Sequence, residues 1–415
     1  MIKTTSFTLA FILFLAGSLS GQEALQQYLV IAAENNPGLR ALYHEYQASL
    51  EIIDQVGSLP DPQLGFDYFI QPVETRLGPQ QAGISLTQMF PWFGTLSARE
   101  SVAALRSRAK FAAFNEAKSN LFFQIKSSYY ELYFSEKAIK IMQSNLRILD
   151  SFRNLALIKV QAGLASGVDE LRIEMEQAEM HNQVAVLEEI RTAQTVKFYN
   201  LLNTEPEKSV LIPDTLWSVE FSRSEQEILD SIKSRNPDLL ALDFDLKSHQ
   251  ARQQLARKNG APSLGIGLGY IMIGENDNTL IAGAKNGRDA IVFPKLSLTL
   301  PLYRAKYNAM VQEANLMQQA AVEKISDKYN ALTTLYARTM QEYRNAVRSF
   351  ELYQRQRIVA KKALQILEAE YAAESRKFEE ILRMERRKLN YELEMEKARV
   401  AKHTAIAFIY YLMGS

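Results

Sequence analysis

The chain has no cysteine in 415 residues, which excludes disulfides, thiolate metal sites and a lipid-modified N-terminal cysteine. Non-covalent packing alone must hold it. Beyond the N-terminus there is no apolar run approaching the roughly 18 residues that a membrane-spanning helix needs, so any crossing would have to use strands. Net charge is almost nil, with 48 Lys and Arg against 47 Asp and Glu; nothing draws the chain toward nucleic acid or an anionic surface. Histidine is scarce. His44, His181, His249 and His403 are scattered without a recurring partner at ligand spacing, which argues against a metal centre and against a catalytic base. No cofactor and no catalytic residue is expected.

Two long stretches also lack helix breakers. All twelve prolines lie outside 92–205 and 302–415, where the only glycines are Gly94, Gly163, Gly167 and Gly414. A helix interior loses about 1 kcal/mol to each Gly and about 3 to each Pro, so this clearance points to very long helices. From Thr95 to Ala162 there are 68 residues without either type, enough for a rod of roughly 100 Å. Within it Ile125, Leu132, Ile139, Leu146 and Val160 recur at sevens, with Ser128, Ser135, Met142, Leu149 and Ala156 interleaved. This is a coiled-coil seam with several small residues.

What is present is a duplication. Asn36, Pro37, Leu39, Ala41 and Leu42 recur as Asn236, Pro237, Leu239, Ala241 and Leu242, and Pro62, Leu64 and Gly65 as Pro262, Leu264 and Gly265. Copy 2 then gains about a dozen residues in the Gly/Asn-rich stretch Gly274 to Asp289, where a surface loop tolerates them. Pro91 and Pro301 are each followed 111 residues later by Leu202 and Leu412. Length is held constant where a rod of fixed reach is expected.

The expected organisation is as follows. Residues 1–21 form a secretory signal with one Lys, an apolar run from Phe7 to Ala16, and Ser18 and Ser20 before the cleavage point. The mature chain then begins near Gly21 or Gln22. Repeat 1 covers 22–205, with an entering helix about Glu23 to Val56, a hairpin about 62–90, a long helix about 94–162 and a return helix about 168–204. A linker spans 206–221. Repeat 2 covers 222–415, with an entering helix about Glu225 to Asn259, a hairpin about 262–301, a long helix about 302–373 and a return helix about 378–413. The fold class is mainly α with a small membrane β part, a duplicated unit of long antiparallel coiled-coil helices plus a hairpin.

The strands read as Gln63 to Gln71 and Gln81 to Phe90, with Pro72, Gly78 and Pro79 in the turn, and as Ser263 to Ile273 and Ala290 to Leu300. Nine to eleven residues is the length of a tilted transmembrane strand, and Phe66, Tyr68, Ile70, Ile84 and Leu86 fall on alternating positions. Phe90, Trp92 and Phe93 sit where an interfacial aromatic girdle is expected. A soluble sheet edge is the plainer alternative. Four strands cannot close, and open edges in lipid leave costly unpaired backbone groups, so a membrane reading requires several chains. Three would supply twelve strands and a closed barrel. Gly265, Gly267 and Gly269 form GxGxG, but the segment leads into another strand, which removes the phosphate-binding context and suggests a pore-lining strand instead.

With these features the sequence resembles the TolC-type outer-membrane efflux family across essentially the whole mature chain. The resemblance also rests on "KVQAGLASGVDELRIEMEQAE", residues 159–179, similar to that family's helix-turn tip. "MFPWFGTL", residues 89–96, looks like its heavy-metal and cation branch. The resemblance implies a homotrimer in the outer membrane of a Gram-negative bacterium, with a 12-stranded barrel continued by a periplasmic α-helical barrel. It implies a periplasmic adaptor (membrane fusion protein) docked on the tips, an inner-membrane pump of resistance-nodulation-division type, outer-membrane lipid around the barrel, and no nucleic acid. Tip residues expected at the gate or adaptor-docking end are Gly163, Gly167, Asp169, Glu170, Arg376, Lys377, Glu379 and Glu380. Three copies of Asp169 would ring the axis with carboxylates that attract cations, while Arg376 and Lys377 could pair with carboxylates and hold the tip shut. Copy 2 departs from the family pattern at Ala373 and Glu379, where Gly and Asp are usual. The alternatives are a type I secretion duct for polypeptides and a periplasmic coiled-coil scaffold without membrane insertion.

Overall fold

The computed structural model describes residues 21–75, 78–164, 166–206, 210–274, 290–374 and 378–414. Residues 1–20 of the expected signal, most of the Gly/Asn-rich loop, and Arg376 and Lys377 lie outside the described residues, while Gly21 begins α1. The elements run α1 Gly21–Asn35, α2 Pro37–Gly57, β1 Gln63–Thr75, β2 Gly78–Phe90, α3 Thr95–Gln161, α4 Gly167–Leu202, α5 Glu225–Arg235, α6 Pro237–Asn259, β3 Ser263–Ile273, β4 Ala290–Thr299, α7 Arg304–Glu374 and α8 Phe378–Leu412. Among the described residues no helix is long and apolar enough to cross a membrane.

The repeated Asn-Pro pair divides each entering helix for a local reason. Asn36 Oδ1 accepts from the Leu39 amide at 3.1 Å, and Asn236 Oδ1 accepts from Asp238 and Leu239 at 3.1 and 3.4 Å. Each asparagine therefore caps the helix that follows, with proline at its first position, where the missing N–H costs nothing.

The chain divides into two compact units. The first comprises Met1–Arg40, Ala117–Ile232 and Leu332–Ser415. Its helices pack along the seam read from the sequence: Ile125, Ser128, Leu132, Ser135, Ile139, Met142, Leu146, Leu149 and Ala156 are all buried. One cluster joins four helices through Leu146 and Leu149 of α3, Ile173 and Met180 of α4, Leu364 and Tyr371 of α7, and Phe378 and Ile381 of α8. Truncating such a Leu or Ile to Ala costs about 2–5 kcal/mol. The linker is tied down here: Tyr129 donates to the Leu211 carbonyl at 3.0 Å, and Trp217 packs on the His403 ring at 5.6 Å.

The second unit comprises Ala41–Glu116 and Lys233–Ala331. It contains one antiparallel sheet in the order β1-β2-β3-β4, together with helical segments joined by Ser49 donating to Ser107 at 2.9 Å and by the Lys328–Asp238 pair at 2.6 Å. The first hairpin is longer than expected. Pro72, Gly78 and Pro79 are not in the turn but within β1 and β2, where Thr75 pairs with Gly78 and Glu74 with Pro79. A register shift between Tyr68 and Val73 accommodates the ladder. Pro72 is tolerated because β1 is an edge strand and its missing donor falls at this irregularity.

Candidate functional site

Two arrangements hold the candidate functional residues, one in each unit. In the first unit, α3 ends in a turn around Gly163. The Leu164 amide donates to the Lys159 carbonyl at 2.8 Å and the Gly163 amide to the Val160 carbonyl at 3.0 Å, with Gly163 left-handed at φ +72°. This is a Schellman stop, in which glycine avoids the strain of a Cβ. Gly167 needs no such freedom: its φ is ordinary and a Cβ there would meet nothing within 4 Å. Ser166 caps α4 by accepting from the Val168 amide at 3.2 Å, and Asp169 and Glu170 occupy the first turn, where negative charge suits the helix dipole.

The expected carboxylates are engaged. The Asp169 side chain is 14% exposed and lies 3.4 Å from Arg172. Arg172 also reaches Glu379 at 3.5 Å, so it links the start of α4 to the start of α8. Glu170 pairs with Arg153 of α3 at 3.8 Å, and Glu380 with Arg383 at 4.0 Å. Below them Arg386 holds Glu176 at 2.8 Å; burial pushes the Glu176 carboxyl up from its ordinary value while Arg386 opposes the shift. Beneath the turn, Lys159 is 8% exposed, donates to the Tyr371 carbonyl at 2.6 Å and stands 4.1 Å above the Tyr371 ring. Burial, with Asp169 nearby, raises the Tyr371 hydroxyl pKa.

Arg172 and Lys159 were not singled out by sequence reasoning. Arg172 carries a weak signal, lying three residues after Asp169 on one helix face; Lys159 carries none beyond ending a helix. In copy 2 the position equivalent to Gly163 is Ala373, still inside α7, which continues to Glu374. The turn between α7 and α8 lies outside the described residues, and with it Arg376 and Lys377.

In the second unit the strand register assembles one apolar face. Leu64, Leu86, Leu268 and Pro294 form a cross-strand row, and Phe66, Ile84, Tyr270 and Val292 another. The large side chains of both rows are exposed. The opposite face carries Ser85, Thr87, Lys295 and Ser297 beside Gly265, Gly267 and Gly269. There the Phe293 ring lies across Gly269, and at Gly267 a Cβ would fall 2.4 Å from the Leu86 carbonyl oxygen; this backbone approach leaves room for glycine only. Phe90 ends β2, and beyond it Trp92 and Phe93 pack edge to face at 5.9 Å, both exposed. Among the described residues no cluster of three His, Cys, Asp or Glu could hold a metal.

Residues 28–204 match the family model described as "Outer membrane efflux protein". No curated protein sequence matches the chain. Solved structures share its fold. CusC, described for conformational changes accompanying folding and transmembrane channel formation, is 16% identical, with 94% of this chain and 92% of that one covered at a TM-score of 0.77. The open-state outer membrane channel MtrE of Neisseria gonorrhoeae is 18% identical, covering 94% and 89% at 0.75. The outer membrane protein VceC of Vibrio cholerae is 14% identical, covering 94% and 96% at 0.75.

Proposed function

For a chain that carries the outer membrane efflux protein family's pattern over residues 28–204, and the fold of solved outer-membrane channels over its described length, we propose the role of exit channel in a tripartite efflux system. Three chains close a 12-stranded barrel in the outer membrane, and their helices continue it as a periplasmic duct. The duct conducts passively, with energy supplied by an inner-membrane pump of resistance-nodulation-division type. A periplasmic adaptor docks on the tips around Gly163 and Glu379, and Asp169, Glu170, Glu379 and Glu380 form the gate.

One observation carries this reading: one face of the sheet exposes cross-strand rows of Leu, Ile, Phe, Val and Tyr, while the other mixes Gly265, Gly267 and Gly269 with Ser85, Thr87, Lys295 and Ser297 beside Met89 and Phe293. A coiled-coil scaffold in water has no use for such a face. In lipid it is the favoured surface, and the free edges of β1 and β4 call for neighbouring chains. Leu268 is 62% exposed on the apolar face. Replacing it with Arg at a lipid-facing position is expected to cost up to about 2–4 kcal/mol per chain and to remove heat-modifiable trimers from outer-membrane fractions. Lys295→Glu, on the opposite face, is expected to retain them and alter ion selectivity. Trimers of Leu268→Arg recovered from the outer membrane at wild-type yield would sink the reading.

A further inference from the structure

At the junction between β2 and α3, within the second unit, there is a cavity of 290 Å³ lined by Arg99, Lys258, Thr95, Trp92, Tyr307 and Asn259 among others, with no Asp or Glu in its wall. Neither Arg99 nor Lys258 has a carboxylate partner among the described residues. Lys258 is instead turned toward the junction backbone, with its Nζ 3.4 Å from the Phe93 carbonyl. Thr95 is 3% exposed, yet its hydroxyl has no hydrogen-bond partner. It also opens α3, a helix of 67 residues, so the positive end of that helix's dipole faces this region, while the Thr95 amide itself is bonded to the Trp92 carbonyl at 3.0 Å.

We infer that this niche binds a phosphate-type anion, held by Arg99, Lys258, the Thr95 hydroxyl and the N-terminus of α3. Two cations without a carboxylate partner and an orphaned buried hydroxyl line one cavity at the positive end of a helix, and each is satisfied by the same ligand chemistry. The amphipathic Trp92 completes the wall, a residue type that favours the level of lipid headgroups. If the sheet lies in the outer membrane, as proposed above and on which this placement rests, the phosphate of an anionic lipid headgroup is within reach. A free phosphate presents the same chemistry.

The test uses the full-length trimer in detergent, titrated with a short-chain phosphatidylglycerol, with the matching diacylglycerol and with inorganic phosphate, and bound molecules are counted by native mass spectrometry. Phosphatidylglycerol is expected to be retained and diacylglycerol not. The double variant Arg99→Gln/Lys258→Gln is expected to bind at least about tenfold more weakly, the loss of a charge-assisted hydrogen bond. Thr95→Val keeps both cations and is expected to show a smaller loss. Displacement of phosphatidylglycerol by inorganic phosphate would support the same chemistry with a free anion as source; no displacement would support the lipid headgroup. Equal retention of phosphatidylglycerol by wild type and the double variant, or equal retention of diacylglycerol and phosphatidylglycerol by wild type, overturns the inference. Failure of the membrane reading is recognised separately, by absence of the protein from outer-membrane fractions, and leaves the phosphate titration decisive for the niche.

Discussion

Arg172 lies 3.4 Å from Asp169 on its own helix and 3.5 Å from Glu379 on α8, so one guanidinium serves both copies of the repeat. Glu379 is 69% exposed, and an exposed pair of this kind contributes about 0.2–1 kcal/mol. Glu379→Gln is therefore expected to shift the closed-to-open ratio by no more than about fivefold, and more at low salt than at high. Single-channel recording in planar bilayers checks this; an open probability unchanged at low salt would remove the link from gating. In the same recordings Asp169→Asn is expected to alter conductance or cation selectivity.

The two tip glycines are expected to behave differently. Gly163 sits at φ +72° whereas Gly167 has room for a side chain. Gly163→Ala is expected to destabilise the tip by about 1–2 kcal/mol, and Gly167→Ala to be neutral or slightly stabilising. Hydrogen exchange of the amides around Gly163, between α3 and α4, distinguishes them, and equal acceleration in the two variants would contradict the distinction.

Lys159 secures the end of α7 to the end of α3 through the Tyr371 carbonyl and ring. Lys159→Met keeps the aliphatic stem and removes the charge. The expected loss is about 1–3 kcal/mol, seen as faster hydrogen exchange around Tyr371, while exchange around the distant Tyr129 stays unchanged.

His403 gives a pH dependence whose sign can be worked out. Burial among Tyr130 and Trp217 lowers its pKa from 6.5 to about 4. Between these values the unfolded chain holds the proton and the folded one does not, so stability is full above about pH 6.5 and falls as pH drops toward 4. The span amounts to roughly 3 kcal/mol. Thermal denaturation of His403→Phe is expected to lose that slope; a slope equal to wild type would assign it elsewhere.

Much of the fold is legible in the sequence because it is periodic. The sevenfold spacing of Ile125 to Leu146 already identifies the buried stripe, and the Asn36/Asn236 recurrence marks two capped helix starts. Strand alternation at Phe66, Tyr68 and Ile70 likewise announces an exposed face. Other features depend on partners distant in the chain. Pro72 and Pro79 read as turn residues because local preference cannot reveal a register shift opposite them. Arg172 and Lys159 matter through contacts 207 and 212 positions away, and His403 reads as isolated because Trp217 reaches it only once the linker is strapped down. Tip carboxylates were visible as acidic residues, but their pairing was not.

The outer borders of β1 and β4 have a consequence for biogenesis. If three chains close the barrel as proposed, each newly made chain exposes two adhesive margins until its neighbours arrive, so that capture by siblings competes with proteolysis and with tangling. Yield is then expected to depend steeply on how many copies emerge close together, and a truncated copy keeping only one margin would poison the intact ones by joining without allowing closure.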